Sequence, residues 1–178
     1  MSDVFFTIGH STRTLDEFLE LLRDNGVGLI VDVRKLPGST RYPEFDHDVL
    51  ASSLEAAGIG YRRAGGLTGR RRVSRDVPFE VNGWWENRSF HNYADHALSH
   101  EFKQALTEVR EQGSAQRAAV MCSEAVWWRC HRRIIADHLL AHDEQVHHIL
   151  GVDHVDPARL THGATVGPGN TVTYPADV

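Results

Sequence analysis

Cysteine is scarce in this chain, because Cys122 and Cys130 are the only two among 178 residues. The first residues lack the basic region and long apolar stretch of a secretory signal, and no apolar run approaches the ~20 residues of a membrane helix. A reducing compartment is therefore expected, in which a structural disulfide is unfavourable. The sequence predicts a cytoplasmic protein without a membrane partner and leaves its oligomeric state open.

Lysine is nearly absent, with Lys35 and Lys103 as the only examples, and the formal net charge is −5. This charge argues against a protein that coats nucleic acid through bulk electrostatics. The stretch 62–75 is an exception, since it holds six arginines and no acid. Guanidinium groups make forked contacts to phosphate or carboxylate, so this stretch predicts a local anion-binding face.

Three familiar catalytic patterns are also missing from the chain. It has no Gly-rich phosphate loop, no HExxH motif and no G-x-S-x-G motif. These absences argue against nucleotide hydrolysis, zinc proteolysis and ordinary esterase chemistry. No cofactor is expected.

Predicted strands and helices alternate along the sequence. Short apolar runs predict strands, and apolar residues at i, i+3, i+4 and i+7 predict amphipathic helices. The strands are predicted at 4–9, 27–33, 59–63, 117–122 and 145–150, and the helices at 14–26, 47–58, 93–113 (with a break near Ser99) and 129–142. This alternation indicates an α/β fold with a mainly parallel sheet and helices on both faces.

The chain length fits a single domain, which we predict to span residues 1–152. This domain contains a long irregular insert at about 64–90, rich in glycine and arginine. So long an insert inside a compact domain is usually functional or disordered. Residues 153–178 are predicted to form an irregular C-terminal tail.

Polar segments follow three of the predicted strands. They are GHST (9–12), DVRKLPGSTRYP (32–43) and CSEAVWWRC (122–130). Parallel sheets bind ligands beyond the carboxyl ends of their strands. We therefore expect these three segments to build one shared site.

The two cysteines are poorly spaced for a zinc site. Structural zinc sites commonly use four ligands, in close pairs spaced by two to four residues. Seven residues separate Cys122 from Cys130, and the chain has no second pair. His131 adjoins Cys130, and adjacent side chains rarely reach one ion. We expect no metal here.

A nucleophilic or redox cysteine is a second hypothesis. Cys130 is predicted in the first turn of helix 129–142, where backbone N–H groups and the helix dipole favour a thiolate. Arg129, His131 and Arg132 would reinforce this preference. In the alternative interpretation, both cysteines are small buried apolar residues.

Two carboxylates form a third hypothesis. Glu124 follows a buried strand and precedes Trp127 and Trp128, so desolvation would raise its pKa for acid–base work. It could equally pair with an arginine or cap a helix. Asp32 interrupts a buried strand and needs a partner, which Arg34 on the same side of the strand could supply.

The insert combines arginines with Trp84 and Trp85. Cations that hold phosphates and aromatics that stack on bases suit an unpaired or flipped base, and stacking contributes roughly 1–3 kcal/mol per base. In the alternative interpretation the arginines are solvated and the tryptophans fill the core.

Four segments together resemble a bacterial family, domain of unknown function 488. In order they are TIGHSTRTLDEFLELLRDNGVGLIVDVRKLPGSTRYPEF, LEAAGIGYRRAGGLTGRRR, WENRSFHNYADH and MCSEAVWWRCHRRIIAD. Thr68 and Ser123 depart from the usual glycine and alanine. The resemblance covers roughly residues 5–150 and implies a link to the processing of modified DNA bases. It marks Pro37 and Gly69 in addition to most of the candidates below.

The candidate residues fall into two groups. Those expected to carry chemistry are Asp32, Glu124, Cys122, Cys130 and His10. Those expected to bind substrate are Ser11, Arg34, Ser39, Tyr61, Arg70, Arg71, Arg72, Trp84, Trp85, Trp127, Trp128, His131 and Arg132.

Three functions remain open at this point. The first is an enzyme that acts on DNA, such as a glycosylase that excises a modified base. The second is a cysteine-dependent thiol, sulfur-transfer or redox enzyme on small molecules. The third is a non-catalytic module that binds a nucleotide or nucleic acid.

Overall fold

A six-stranded sheet forms the centre of the fold in a computed structural model, which describes residues 3–176. Its strands are β1 (Val4–Gly9), β2 (Leu29–Asp32), β3 (Gly60–Arg63), β4 (Ala118–Cys122), β5 (Gln145–Gly151) and β6 (His154–Pro157). Their spatial order is β3-β2-β4-β1-β5-β6. The first five strands are parallel, and β6 runs antiparallel to β5. The predicted α/β fold with a mainly parallel sheet is confirmed.

Five α-helices cover both faces of this sheet. They are α1 (Leu15–Asp24), α2 (His47–Ala56), α3 (Arg88–His96), α4 (His100–Ala115) and α5 (Arg132–Ala141). Successive residues of a strand point to opposite faces: Phe6 packs with side chains of α1 and α2, whereas Phe5 packs with side chains of α3, α4 and α5. None of the helices within residues 3–176 is long and apolar enough to cross a membrane.

Local signals set several helix ends as predicted. Thr14 and Glu17 form the predicted capping box of α1. The predicted helix 93–113 is two helices, and the Ser99 hydroxyl caps α4 at the break. The first of them begins earlier than predicted, because the Asn87 side chain accepts hydrogen bonds from two backbone N–H groups at the start of α3.

The C-terminal segment contains more structure than the sequence predicts. Strand β6 joins the central sheet, and β7 (Thr165–Val166) pairs with β8 (Val172–Thr173). Tyr174 is fully buried, and its hydroxyl donates to the Asp137 carboxylate at 2.7 Å. Strands of two residues carry no periodic pattern, so the expectation of an irregular tail fails here. The insert 64–90 is irregular as predicted, apart from short 3-10 turns and the start of α3.

Candidate functional site

The carboxyl ends of β1, β2 and β4 lie side by side because β4 is between the other two. Backbone N–H groups of His10 and Ser11 donate to the carbonyls of Cys122 and Ser123, both at 3.0 Å. Gly9 permits this close approach, since a Cβ there would collide with the Glu124 carbonyl. Two of the three segments expected to build the site are thus joined through their backbones.

Asp32 and Arg34 form a buried clamp at the end of β2. The Arg34 guanidinium donates to both carboxylate oxygens of Asp32, with its closest contact at 2.8 Å. The Tyr61 hydroxyl donates to the same carboxylate at 2.5 Å. Burial and this hydrogen bond raise the pKa of Tyr61. Asp32 is fully buried, and the hydrogen bonds to its carboxylate hold the Arg34 guanidinium in place.

His10 is held beside this clamp as a neutral ring. It stacks on Phe45 at 4.4 Å between ring centroids, and its Nδ1 lies 3.0 Å from the Ser11 carbonyl oxygen, to which it donates. Nε2 then carries a lone pair, which faces an Arg34 nitrogen at 3.5 Å. Burial lowers the pKa of His10, which is consistent with a neutral ring.

A cavity of about 420 Å³ opens above His10. Ser11 and Ser39 line it, as expected for residues of the first two segments. The Ser39 hydroxyl accepts a hydrogen bond from the Tyr42 backbone at 2.9 Å, so it also stabilises its own loop.

The two cysteine sulfurs meet at the end of β4. Cys122 and Cys130 are free thiols, 3% and 6% exposed, and their Sγ atoms lie 2.9 Å apart. A disulfide bond would be about 2.05 Å long. This contact is a short hydrogen bond between a thiol and a second sulfur.

Cys130 lies before helix α5 and not in its first turn, which corrects the prediction. Residues 127–129 form a 3-10 turn, and α5 begins at Arg132 with His131 as its N-cap. The sulfur nevertheless faces the helix start, because Cys130 Sγ accepts a hydrogen bond from the Arg132 backbone N–H at 3.4 Å. The His131 Nδ1 atom lies 3.5 Å from the same sulfur.

Arg132 is a buried cation beside the sulfur pair. Its side chain donates to the Thr7 hydroxyl at 3.1 Å and to the Glu124 carbonyl at 2.7 Å. Within residues 3–176 no carboxylate forms an ion pair with it, and its Nε atom has no partner. A guanidinium that is 1% exposed requires an anion nearby. A thiolate in the cysteine pair meets that requirement.

The two cysteines differ in acidity. Burial raises the pKa of the Cys122 thiol, and its hydrogen bond with Cys130 adds to this effect. Burial alone would also raise the pKa of Cys130. The hydrogen bond from Cys122 and the positive charges of His131 and Arg132 outweigh burial and bring the pKa of Cys130 well below its usual value. These surroundings favour a thiolate on Cys130, with the Cys122 thiol as the hydrogen-bond donor to it.

His131 is oriented by contacts on two sides. Its Nε2 atom lies 3.1 Å from the Val33 carbonyl oxygen and donates to it. Its ring also packs against Gly69, where a Cβ would lie only 2.8 Å from Nδ1. With Nε2 protonated, Nδ1 can accept the proton that the Cys130 thiol loses.

The sulfur pair opens onto a cavity of about 410 Å³. Both cysteines and His131 line it, together with the backbone around Gly69. Its charged lining residues are Arg34, Lys35, Arg70, Arg129 and Glu124. Cations therefore dominate this cavity, although the whole chain has a net negative charge.

Glu124 lies at the mouth of both cavities and is exposed. The expected desolvation of its carboxylate by Trp127 and Trp128 is wrong. Trp127 stacks on His148 at 4.4 Å, and Trp128 is 44% exposed. Neither tryptophan lines the two cavities, and Trp127 lines a different one.

Trp84 and Trp85 pack into the protein core. Trp85 is 6% exposed and stacks on Phe90 at 4.9 Å. Trp84 packs against Gly163, where a Cβ would collide with its indole ring. Neither tryptophan lines the sulfur cavity. Their contacts agree with the alternative interpretation given above, in which they fill the core.

The three candidate arginines of the insert are placed differently from one another. Arg70 is exposed and lines the sulfur cavity. The Arg71 side chain folds back on its own loop and donates to the Thr68 and Gly65 carbonyls at 2.9 and 2.8 Å. Arg72 lines an adjacent cavity.

Sequence reasoning did not identify four residues of the site. Lys35 lies within the polar segment 32–43, and Phe45 follows that segment by two residues. Neither residue type suggested a role in the chemistry. Thr7 and His148 are distant in sequence and form a buried contact of 2.6 Å that extends the Arg132 network. Only the pairing of β1 with β5 brings these two together.

Within residues 3–176, the side chains grouped closely enough to hold a metal ion lie apart from the two cysteines. Asp46, His47 and Asp48 have ligand atoms within 4.8 Å of one another, on the partly exposed start of α2. Neither cysteine takes part in this group.

The fold and the site together define an α/β domain with a buried thiol pair at the carboxyl ends of its strands. The chain belongs to the family Domain of unknown function DUF488, whose model matches residues 14–139. That match includes the second and third polar segments, 32–43 and 122–130, and begins just after the first, 9–12. A comparison with curated proteins finds no match, and neither does a comparison with solved structures.

Proposed function

We propose that this protein is a cysteine-dependent redox enzyme that reduces a small-molecule disulfide. The observation that carries the proposal is the pair of sulfurs 2.9 Å apart at the floor of an open cavity. One of them, Cys130, faces a backbone N–H group, an imidazole and a buried guanidinium. These groups favour a thiolate, which is the attacking form in thiol–disulfide exchange.

The reaction proceeds in two exchanges. The Cys130 thiolate attacks one sulfur of the substrate, forms a mixed disulfide and releases the other half as a thiolate. Cys122 then attacks Cys130 Sγ and releases the second half, and the proton of Cys122 passes to that departing sulfur. The cysteines are oxidised to a disulfide, and the substrate is reduced to two thiols. An external thiol reductant returns the enzyme to its starting state.

His131 and Cys122 have separate roles in this scheme. The His131 Nδ1 atom holds the proton taken from Cys130 and can deliver it to the departing thiolate. Cys122 stabilises the thiolate through its hydrogen bond and afterwards resolves the mixed disulfide. Its own high pKa favours the protonated state until the negative charge on Cys130 has been consumed.

The contacts favour this function over base excision. A glycosylase needs a carboxylate that can activate water or stabilise a sugar cation, and a surface on which a base stacks. The Asp32 carboxylate is occupied by Arg34 and Tyr61. Trp84 and Trp85 pack in the core and are not available to stack on a base. Glu124 is then the one candidate carboxylate that lines the cavities, and it is exposed.

Reaction with glutathione disulfide tests the proposal. We expect the reduced wild-type protein to release two glutathiones and form a Cys122–Cys130 disulfide, as read by peptide mass mapping. Cys122→Ser should accumulate glutathione on Cys130, because the resolving thiol is missing. Cys130→Ser is the matched control and should react far more slowly. Equal labelling of Cys122 in that variant, or no reaction of the folded wild type, would exclude Cys130 as the nucleophile.

A further inference from the structure

Two neighbouring cavities meet at Lys35 and Arg70. The sulfur cavity, of about 410 Å³, and a second one of about 590 Å³ are both lined by these two residues. The second cavity is also lined by Arg72, Ser74 and His96. Together they have room for a ligand larger than a simple thiol, with one end at the sulfurs.

Three cations that line the second cavity, Lys35, Arg70 and Arg72, form a rim without a carboxylate partner in the described part of the chain, and the first two also line the sulfur cavity. Lys35, Arg70 and Arg72 are exposed, and none of them forms an ion pair within residues 3–176. Of the acids that line the second cavity, Asp95 is buried and accepts a hydrogen bond from the Asn82 side chain at 2.7 Å. Asp76 is exposed at its edge.

The loop holds Arg70 on this rim at a conformational cost. Arg70 has φ of +56°, a left-handed conformation that non-glycine residues rarely adopt. Arg71 fixes the loop through its three side-chain hydrogen bonds to Gly65 and Thr68. Strained residues that the surroundings hold in place concentrate at ligand sites. In this conformation Arg70 lines both cavities.

We infer that Lys35, Arg70 and Arg72 bind a phosphate group, so that the substrate is a phosphate-bearing small molecule. Guanidinium forks and an ammonium group that approach from different residues suit the several oxygens and the double charge of a phosphate. The chemistry at the other end of this ligand rests on the proposed reduction of a disulfide. The phosphate site itself requires only the rim.

Binding of inorganic pyrophosphate tests this inference by titration calorimetry on the full chain. We expect a saturable site on the wild type. Lys35→Ala and Arg70→Asn should each weaken binding about tenfold, as expected for loss of one charged hydrogen-bond partner. Asparagine tolerates the left-handed backbone, so this change removes the cation without adding strain. Arg75→Ala is the matched control, because Arg75 is an exposed arginine of the same loop that lines neither cavity, and it should change binding less than twofold.

A second measurement links the rim to the sulfurs. Pyrophosphate should slow the alkylation of Cys130 by iodoacetamide in the wild type and not in Arg70→Asn. If pyrophosphate does not bind, or binds equally to all variants, the phosphate site is wrong even when Cys130 reduces disulfides. If pyrophosphate binds as expected and Cys130 is inert, the phosphate site stands and the redox function fails. Binding of a DNA oligonucleotide at these residues, without binding of pyrophosphate, would overturn the inference in favour of a nucleic acid.

Discussion

Removal of the Cys122 thiol should make Cys130 measurably less acidic. In Cys122→Ala the 2.9 Å hydrogen bond to Cys130 is lost. A hydrogen bond to a charged group contributes about 1.5–3 kcal/mol, and a thiol is a weak donor. A value near the lower end, about 1.4 kcal/mol, corresponds to one pKa unit. We therefore expect the pKa of Cys130 to rise by about one unit in this variant.

The pH dependence of alkylation measures this change. At a pH below the Cys130 midpoints of both the wild type and Cys122→Ala, the variant should have about tenfold less thiolate. Its more basic thiolate is about threefold more nucleophilic, which offsets part of this loss. The rate should thus fall only about threefold, so the midpoint of the pH–rate curve is the cleaner measurement. Iodoacetamide labelling followed by mass mapping gives the rate at Cys130 alone.

Cys122→Ser is the control for this experiment, because its hydroxyl can still donate a hydrogen bond. Its midpoint should lie closer to the wild type than that of the alanine variant. An unchanged midpoint in Cys122→Ala would refute the assignment of Cys122 as the donor. Equal shifts in the alanine and serine variants would attribute the change to packing and contradict the hydrogen-bond argument.

Three further outcomes are expected. Asp32→Asn leaves the buried Arg34 guanidinium without its counter-ion and should lower the free energy of unfolding by about 3–5 kcal/mol in urea titrations; a loss below about 1 kcal/mol would contradict the clamp. Trp85→Ala should also cost about 3–5 kcal/mol in the same titrations while the alkylation midpoint of Cys130 stays unchanged, and a shifted midpoint would place Trp85 in the site. Burial lowers the pKa of His138 and of His148 to about 3. The unfolded chain therefore binds more protons below pH 6.5, and stability should fall from about pH 6.5 towards pH 3, by at most about 1.4 kcal/mol per pH unit for each histidine. His148→Gln should reduce this slope, and an unchanged slope would show that His148 does not contribute.

The fold could be predicted wherever one segment alone carried a periodic pattern. The apolar runs of β1 and β4 and the amphipathic pattern of α1 are local, and their elements follow the predictions closely. The C-terminal segment could not be predicted in this way. Its short strands are stabilised by burial of Tyr174 against α5 and by pairing with β5, which are contacts between distant parts of the chain.

The location of the site could also be anticipated, because parallel strands bring their carboxyl ends to one edge. That rule places His10, Arg34, Cys122 and Glu124 together, and the structure does so. The rule could not assign the surroundings of each side chain. The sequence does not reveal that Trp127 lies in a 3-10 turn and stacks on His148 instead of lining the sulfur cavity. It therefore also does not reveal that the Glu124 carboxylate stays exposed.

The arginines of the site illustrate the same limit. Arg132 and Arg71 look alike in the sequence, each within a run of basic residues. Arg132 is buried beside two sulfurs, whereas Arg71 stabilises a loop through backbone carbonyls. Burial decides which guanidinium needs an anion, and burial depends on how α5 packs on the sheet.

Titration of the ultraviolet absorbance of thiolate in the reduced wild-type protein tests the acidity of Cys130 most directly. We expect one sulfur to be ionised already at neutral pH, with a midpoint well below the ordinary thiol value of about 8.5, and the second to ionise far above it. The low-pH step should disappear in Cys130→Ser and persist in Cys122→Ser. Two thiols that both titrate at or above about pH 8.5 would contradict the presence of a thiolate and, with it, the proposed nucleophile.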